Sequence, residues 1–498
     1  MDRARLNSIT RLARAGALEQ AWALFRAAGL DARLDDPNAL TLHGRLLKDR
    51  AAQAEGEARE ALLNDAIAAY ERASHLSRAT YPLINAATLA LLAGRRERAQ
   101  ALALETLALI DGDDCAPETA YWLDATRAEA CLLLGRTREA ETILGQAVEN
   151  QPEAWEDHAS TLRQFTMIAA AMGQSTAWLD RYRPPPSMHF DGILGIAADD
   201  AGARDAIASS LREIRPGNVA GALAAGADIM IAEEALRLGA HLHVVLPCAP
   251  ELFLKASVLP WGSAWEARFA HLMEEAVSVL ILDDWQSPSQ ASVSIARQAA
   301  MGLAIRDARR LQSSAVALRV QDLALPEAKS DDDADWERHG FEVRRIVIER
   351  SNLNSAALPS TSQATALLTL PEALAPELPA GGKCLAKRDG FAVLAFSTIA
   401  EGVEAAKDLV ARHPKARLGL DYCAMSDANP ADPFDRGLPL SSADVKGAIA
   451  LSEAAALALT LQMPAANVEP MGSIRGATGE LPIYGLFPDR VSGNQLRK

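Results

Sequence analysis

The chain has no apolar run approaching the roughly 18 residues that a membrane-spanning helix needs, which excludes a helical membrane protein. No apolar core follows Met1-Asp2-Arg3-Ala4-Arg5, so the start does not read as a secretory leader. Cysteine is scarce. Cys115, Cys131, Cys248, Cys384 and Cys423 are odd in number and have neither metal-ligand spacing nor the density of a disulfide scaffold. A reducing, cytoplasmic setting fits these absences. Positive charge is also short: 50 Lys and Arg against 65 Asp and Glu leave a formal net charge of −15, with no basic patch to offset it. Such a surface repels phosphate backbones, which excludes general nucleic-acid binding.

What is present is an ordinary globular composition, 49% hydrophobic and 23% charged over 498 residues, long enough for about three domains at roughly 150 residues each. The pattern changes twice, giving segments 1–180, 187–350 and 360–490. The expected fold class is multidomain α and α/β: a helical-repeat array, a doubly wound parallel sheet, and an α+β remnant.

The first segment is rich in Ala, Leu, Glu and Arg, with breaks at Gly or Pro and no strand pattern. One phrase recurs. Gly16 is followed by Ala21, Phe25 and Ala28; Gly94 by Ala99; Gly135 by Ala140, Leu144, Ala147 and Pro152. Ala66, Tyr70 and Ala73 form a further copy without its Gly. This spacing resembles the second helix of a tetratricopeptide repeat, where small residues let paired helices approach. Arg45–Asn64 reads as a connection longer than a standard turn. The resemblance implies a concave face for a protein partner; a platform packing on the next domain is the other reading.

Arg181-Tyr182-Arg183-Pro184-Pro185-Pro186 cannot continue a helix and marks a stiff boundary. Beyond it, strands at His189–Ala197, Asn218–Leu223, His241–Leu246, Ser278–Leu282 and Ala315–Val320 alternate with helices at Ala201–Arg215, Ala227–Leu238, Trp265–Glu275 and Ser292–Leu311. That alternation predicts a mostly parallel sheet covered on both faces. The turn Ala224-Ala225-Gly226-Ala227-Asp228 follows a strand and opens a helix. Small residues there let a ligand approach the backbone, and the helix N-terminus favours an anion, so a nucleotide-like ligand is expected. The same residues would equally serve tight helix-on-sheet packing.

The strands' carboxyl ends bring Ala197–Asp200, Ala224–Asp228, Pro247, Asp283, Asp284 and Asp322 to one crevice. The ligand-binding set expected from them is Ala224, Ala225, Gly226, Ala227, Asp228, Pro247 and Asp283. Asp228 serves either as an acid in the helix's first turn or to orient a ribose hydroxyl. Of Glu233 and Glu234, at most one can face the crevice. His241 and His243 point to one face of a strand; with no third ligand, they read as edge or packing histidines. No metal ligand and no cofactor beyond the nucleotide-derived molecule is assigned.

Met188-His189-Phe190, Ala224-Ala225-Gly226-Ala227-Asp228-Ile229, Leu242-His243-Val244-Val245-Leu246-Pro247, Trp265-Glu266-Ala267-Arg268-Phe269 and Ala300-Met301-Gly302-Leu303-Ala304 together resemble the Rossmann-type sensor module of the SLOG superfamily. More narrowly, they resemble the version that follows tetratricopeptide-like repeats in bacterial proteins ending in a class III nucleotide cyclase domain. Pro37-Asn38-Ala39-Leu40-Thr41-Leu42, Thr80-Tyr81-Pro82-Leu83-Ile84-Asn85-Ala86-Ala87-Thr88 and Ala154-Trp155-Glu156-Asp157-His158 belong to the same resemblance, which covers about residues 35 to 320. It implies a nucleotide or nucleotide-derived ligand at the crevice. Related glycosidic-bond-cleaving enzymes carry a Pro-Gly-Gly-x-Gly-Thr-x-x-Glu loop that the Ala224–Ala227 turn does not match.

After the acidic run Asp331-Asp332-Asp333-Ala334-Asp335, expected to be a solvated loop, the segment Arg388-Asp389-Gly390-Phe391-Ala392-Val393-Leu394-Ala395-Phe396, the helix Ala400–Ala411 and the closing Gly472-Ser473-Ile474-Arg475-Gly476 and Leu481-Pro482-Ile483-Tyr484 resemble a class III cyclase. Catalysis there needs two carboxylates for two metal ions. Asp389 matches one position. The strand Ala366-Leu367-Leu368-Thr369-Leu370-Pro371 offers no second acid, and the helix supplying Asn and Arg is missing before Lys446-Gly447-Ala448. The expectation is an inactive cyclase-like domain with no catalytic residue, and, since active cyclases are dimers, a homodimer interface. A hydrolase using Asp228, Glu233 or Glu234, and a ligand-free scaffold, are the alternatives.

Overall fold

The computed structural model describes residues 3–14, 17–112, 116–282, 287–324, 330–351, 358, 362–377, 382–426, 432–443, 445, 449–476 and 479–487. Its described residues divide into two compact units, one up to Pro184 and one from Pro185 to Phe487. No helix among the described residues is long and apolar enough to cross a membrane.

The first unit is helical: α1 (Arg3–Arg14), α2 (Leu18–Ala27), α3 (Pro37–Ala51), α4 (Gly56–Ser77), α5 (Thr80–Leu92), α6 (Arg96–Asp111), α7 (Ala120–Leu133), α8 (Thr137–Asn150) and α9 (Trp155–Ala171). Asp36 caps α3, accepting from the N–H groups of Asn38 and Ala39 ahead of Pro37. Gly94 and Gly135 close the α5–α6 and α7–α8 turns with φ of 77° and 78°, a conformation that favours glycine. Ala21, Phe25, Ala66, Tyr70, Ala73, Ala99, Ala140, Leu144 and Ala147 are all buried, as the repeat spacing requires; Gly16 lies outside the described residues. The long connection expected at Arg45–Asn64 is corrected. Helix α3 continues to Ala51 and α4 starts at Gly56, leaving only 52–55 between them. The charged residues of Arg45-Leu46-Leu47-Lys48-Asp49-Arg50 masked the helical period, although Leu46 and Leu47 are buried.

The second unit holds two sheets. The first comprises β1 (Ser187–Asp191), β2 (Asn218–Gly221), β3 (His241–Leu246), β4 (Ser278–Ile281), β5 (Ala315–Asp322) and β6 (Glu342–Ile348). All are parallel, in the order β4-β3-β2-β1-β5-β6. Helices α10 (Ala201–Ile214), α11 (Ala227–Arg237), the short α12 (Pro250–Phe253) and α13 (Ala264–Glu275) cover the face bearing Phe190, Val219 and Val244. Helix α14 (Gln290–Arg310) covers the other, over Ala220 and Val245. Strand β1 ends at Asp191 instead of Ala197, because the chain turns at Gly192 and reaches a φ of 84° at Gly195.

The acidic run is a second correction. Asp331–Arg338 is helix α15, capped by the Ser330 hydroxyl, and Asp332 and Asp333 are buried. Asp332 takes Arg297 at 2.6 Å; Asp333 takes Arg319 at 2.9 Å and Arg345 at 2.8 Å. Each carboxylate therefore enters the interior with its countercharge.

The second sheet comprises β7 (Ser362–Pro371), β8 (Lys383–Arg388), β9 (Phe391–Phe396), β10 (Gly419–Ser426), β11 (Ile449–Ser452), β12 (Asn467–Arg475) and β13 (Glu480–Phe487), in the order β12-β13-β11-β10-β7-β9-β8. Its β10-β7-β9-β8 portion is antiparallel, with β9 and β10 split around β7 and joined through α16 (Ile399–Arg412). This is a split βαβ arrangement. Helices α16 and α18 (Glu453–Gln462) lie on the face of Leu368; α17 (Phe434–Ser442) lies on the face of Leu367. Helix α14 packs there too. Its Ala291, Ile295, Ala299 and Leu303 share one core with Val245 of the first sheet and Leu368 of the second. Gly302 permits this approach: a Cβ there would collide with the Leu457 carbonyl oxygen of α18.

Candidate functional site

In the parallel sheet the chain steps outward from β1 to β4, then returns to place β5 on the other side of β1. The carboxyl ends of β1 and β5 therefore flank a crevice where the strand order reverses, the usual ligand position in such sheets. Loop 192–200 and the first turns of α10 and α11 border it.

The Ala224–Asp228 turn lies at this edge, but its backbone is engaged by the chain itself. The Ala225 N–H donates to the Ser257 carbonyl at 3.0 Å and the Ala227 N–H to the Ile193 carbonyl at 3.1 Å. The Ala224 N–H donates to Asp228 Oδ2 at 3.3 Å. Gly226, with φ of 110°, leaves room for the Ile193 carbonyl, which a Cβ would approach to 2.7 Å. Ala225 to Asp228 are buried and Ala224 is half-buried. Pro247 is buried just after β3. Asp283 and Asp284 lie outside the described residues.

Asp228 is 6% exposed, and its Oδ1 has no hydrogen-bond partner. Burial, reinforced by the neighbouring Asp191 carboxylate, holds its pKa well above the usual carboxylate range. Asp191 shifts the other way. Burial alone would raise it, but Arg319 at 2.6 Å and His189 outweigh that and lower it. His189 is pushed down by burial. The two carboxyls thus shift in opposite directions, because the Arg319 ion pair is made with Asp191.

A cavity of about 710 Å³ is lined by Ala198, Asp199, Arg204, Glu233, Ala264 and Arg268, with none of Ala224–Asp228 and not Pro247 among them. Arg268 grips Glu233 with two hydrogen bonds, of 2.7 and 2.5 Å, donates to the Ala198 carbonyl at 3.0 Å, and lies 4.2 Å from the Trp265 ring centre. Arg204 reaches the same carbonyl at 3.3 Å. Only one of the two adjacent glutamates lines the cavity, since Glu234 pairs with Arg237. His241 and His243 begin β3, an interior strand, at the end away from the crevice. His243 Nδ1 lies 2.8 Å from Ser278 Oγ.

In the second sheet Asp389 sits exposed in the β8–β9 turn with φ of 52°, followed by Gly390 at 81°. Strand β7 carries no acid. No group of three or more metal-ligating side chains occurs among the described residues.

A polar cluster in the first unit escaped the sequence reading. Lys48 Nζ donates to Asn85 Oδ1 at 3.0 Å and Gln164 Oε1 at 2.7 Å. Gln164 donates to Glu129 Oε1 at 2.9 Å, which also accepts from the Thr88 hydroxyl at 2.6 Å. The available signal was single polar residues in apolar helical stretches: Asn85 within Leu83-Ile84-Asn85-Ala86-Ala87, and Glu129 within Ala128-Glu129-Ala130-Cys131.

Residues 2–90 match the family model described as Tetratricopeptide Repeats-Sensor. No curated protein matches the sequence. A solved structure of a lysine-to-methionine mutant of the Thermobaculum terrenum O-GlcNAc transferase is similar at 12% identity and a TM-score of 0.21, over 64% of this chain and 57% of that one. The chain thus spans little more than half of that protein's length, and a superposition so loose carries no structural argument. The repeats at the amino end are of tetratricopeptide type.

Proposed function

We propose that the chain is a non-catalytic sensor that takes a nucleotide-derived ligand at the edge of the parallel sheet and engages a protein partner through its helical repeats. The observation that carries this is the cavity formed by Ala198 and Asp199 of the loop after β1 with residues of α10, α11 and α13, which holds two arginines. None of Ala224, Ala225, Gly226, Ala227, Asp228 and Pro247 lines it; the turn opens α11, which carries Glu233 into the wall, and Arg204 and Arg268 face the ligand. The N-terminal match to a sensor-type repeat family supports the same assignment.

The second sheet supports a cyclase-like, inactive partner domain: its β10-β7-β9-β8 order is the split βαβ arrangement, and Asp389 has no acidic companion on β7. Incubation with ATP or GTP and manganese is expected to give no cyclic nucleotide above background; turnover lost on Asp389→Ala overturns that part.

Thermal shift with a panel of nucleotides and cyclic dinucleotides tests the crevice. A hundredfold excess over the dissociation constant stabilises a folded protein by about 2.7 kcal/mol, and Arg268→Gln is expected to remove that gain. Stabilisation by none of the panel would favour the ligand-free scaffold.

A further inference from the structure

The inner face of the helical array is lined by α3, α5, α7 and α9, with part of α4, around a cavity of about 690 Å³. Its size lies within the roughly 300–1,000 Å³ of small-molecule sites. Four cations face it, Arg45, Lys48, Arg59 and Arg163, against two acids, Asp49 and Glu129, a formal surplus of two positive charges in a chain whose net charge is −15.

The cations are held in place by their neighbours. Lys48 has amide oxygens of Asn85 and Gln164 as its hydrogen-bond acceptors, leaving a third N–H. Those amides, with Glu129, are 5–8% exposed, so the ammonium is fixed from behind by a buried chain of polar groups. Burial alone would lower the Arg45 pKa, but Tyr81, which is hydrogen-bonded to it, and Asp49 at 3.8 Å outweigh that and raise it. Burial lowers the Arg163 pKa, and the positive Arg45 adds to that. The remaining wall is aromatic and apolar: Tyr70, Tyr81, Trp122 and Ile84.

We propose that this inner face is a binding site for a small phosphorylated molecule bearing a flat ring, its phosphate at Arg45, Lys48 and Arg163 and its ring against the aromatic wall. A phosphate monoester carries about −1.5 to −2 at neutral pH, matching the surplus of two where a single carboxylate would not. The site is separate from the parallel-sheet crevice and stands or falls apart from it.

Hydrogen–deuterium exchange on the full chain locates the ligand. Millimolar AMP or ATP is expected to slow exchange in 37–51, 80–92 and 155–171, and Arg45→Gln and Arg163→Gln are each expected to weaken that protection at least tenfold in ligand concentration. Lys48→Gln should do the same where it folds; the two arginine variants decide the matter if it does not. Protection confined to 192–205, 226–237 and 264–275 supports the crevice and overturns this site. Protection unchanged in both arginine variants overturns it too, as does protection by hexaglutamate without any by AMP or ATP. Inorganic phosphate protecting as well as AMP would remove the ring from the assignment.

Discussion

The two cavities are nearly equal in size, about 710 Å³ at the parallel sheet and about 690 Å³ in the helical array, yet they are built in opposite ways. At the sheet, a loop takes part in the wall through Ala198 and Asp199, and Arg268 is tied to Glu233 and to the Ala198 carbonyl of that loop. In the array, regular helices carry the cavity and side chains alone give it character. A motif marks where backbone is unusual, and unusual backbone first serves the chain's own packing. A cavity made from side chains on ordinary helices leaves no local motif.

If that contrast holds, backbone substitutions in the second unit should cost most. Gly302→Val drives a branched side chain into the Leu457 carbonyl between the two sheets, and chemical denaturation should show a loss of about 3 kcal/mol or more. Gly226→Val combines a φ of 110° with a clash on Ile193, and should cost about 2–3 kcal/mol with or without nucleotide. A wild-type melting temperature for Gly226→Val would mean that the turn is free to receive a ligand instead of the chain.

In the array the comparable test is bulk at a small position. Ala140 is fully buried, so Ala140→Leu should overpack and cost about 1–3 kcal/mol. An unchanged melting temperature would put Ala140 on the solvent side.

The smallest expected effect is a pH dependence at Asp228. Its folded pKa is raised above the unfolded value of about 4, so the folded state holds the proton longer and stability falls as pH rises through that window. Asp228→Asn removes the loss. Its stability relative to wild type should climb as pH rises from about 4 and then level off; a flat difference in urea unfolding from pH 4 to 8 would show that Asp228 titrates normally.

Much of the fold was legible because repeated small residues and alternating strands and helices are local signals. Ala140, Leu144 and Ala147 announce a helix-pair contact, and His241–Leu246 a buried strand. What was illegible depended on partners far along the chain. Asp331–Asp333 read as a solvated run because nothing nearby shows that Arg297, Arg319 and Arg345 meet it. Arg45–Asn64 read as a connection because its charges, which line the array's cavity from α3 and α4, resemble a loop's. Lys48 and Gln164 are 116 positions apart, and only the curvature of the array joins them.

Helix α14 has apolar neighbours on two sides, with Ala220 and Val245 on one and Leu368 and Leu457 on the other. Neither sheet can be inherited, exchanged or expressed alone with that helix intact. A gene fragment stopping near residue 350 would leave Ala291, Ile295 and Ala299 facing water, and one starting near 360 would lack the helix. The smallest piece evolution can shuffle from this half of the chain is both sheets together.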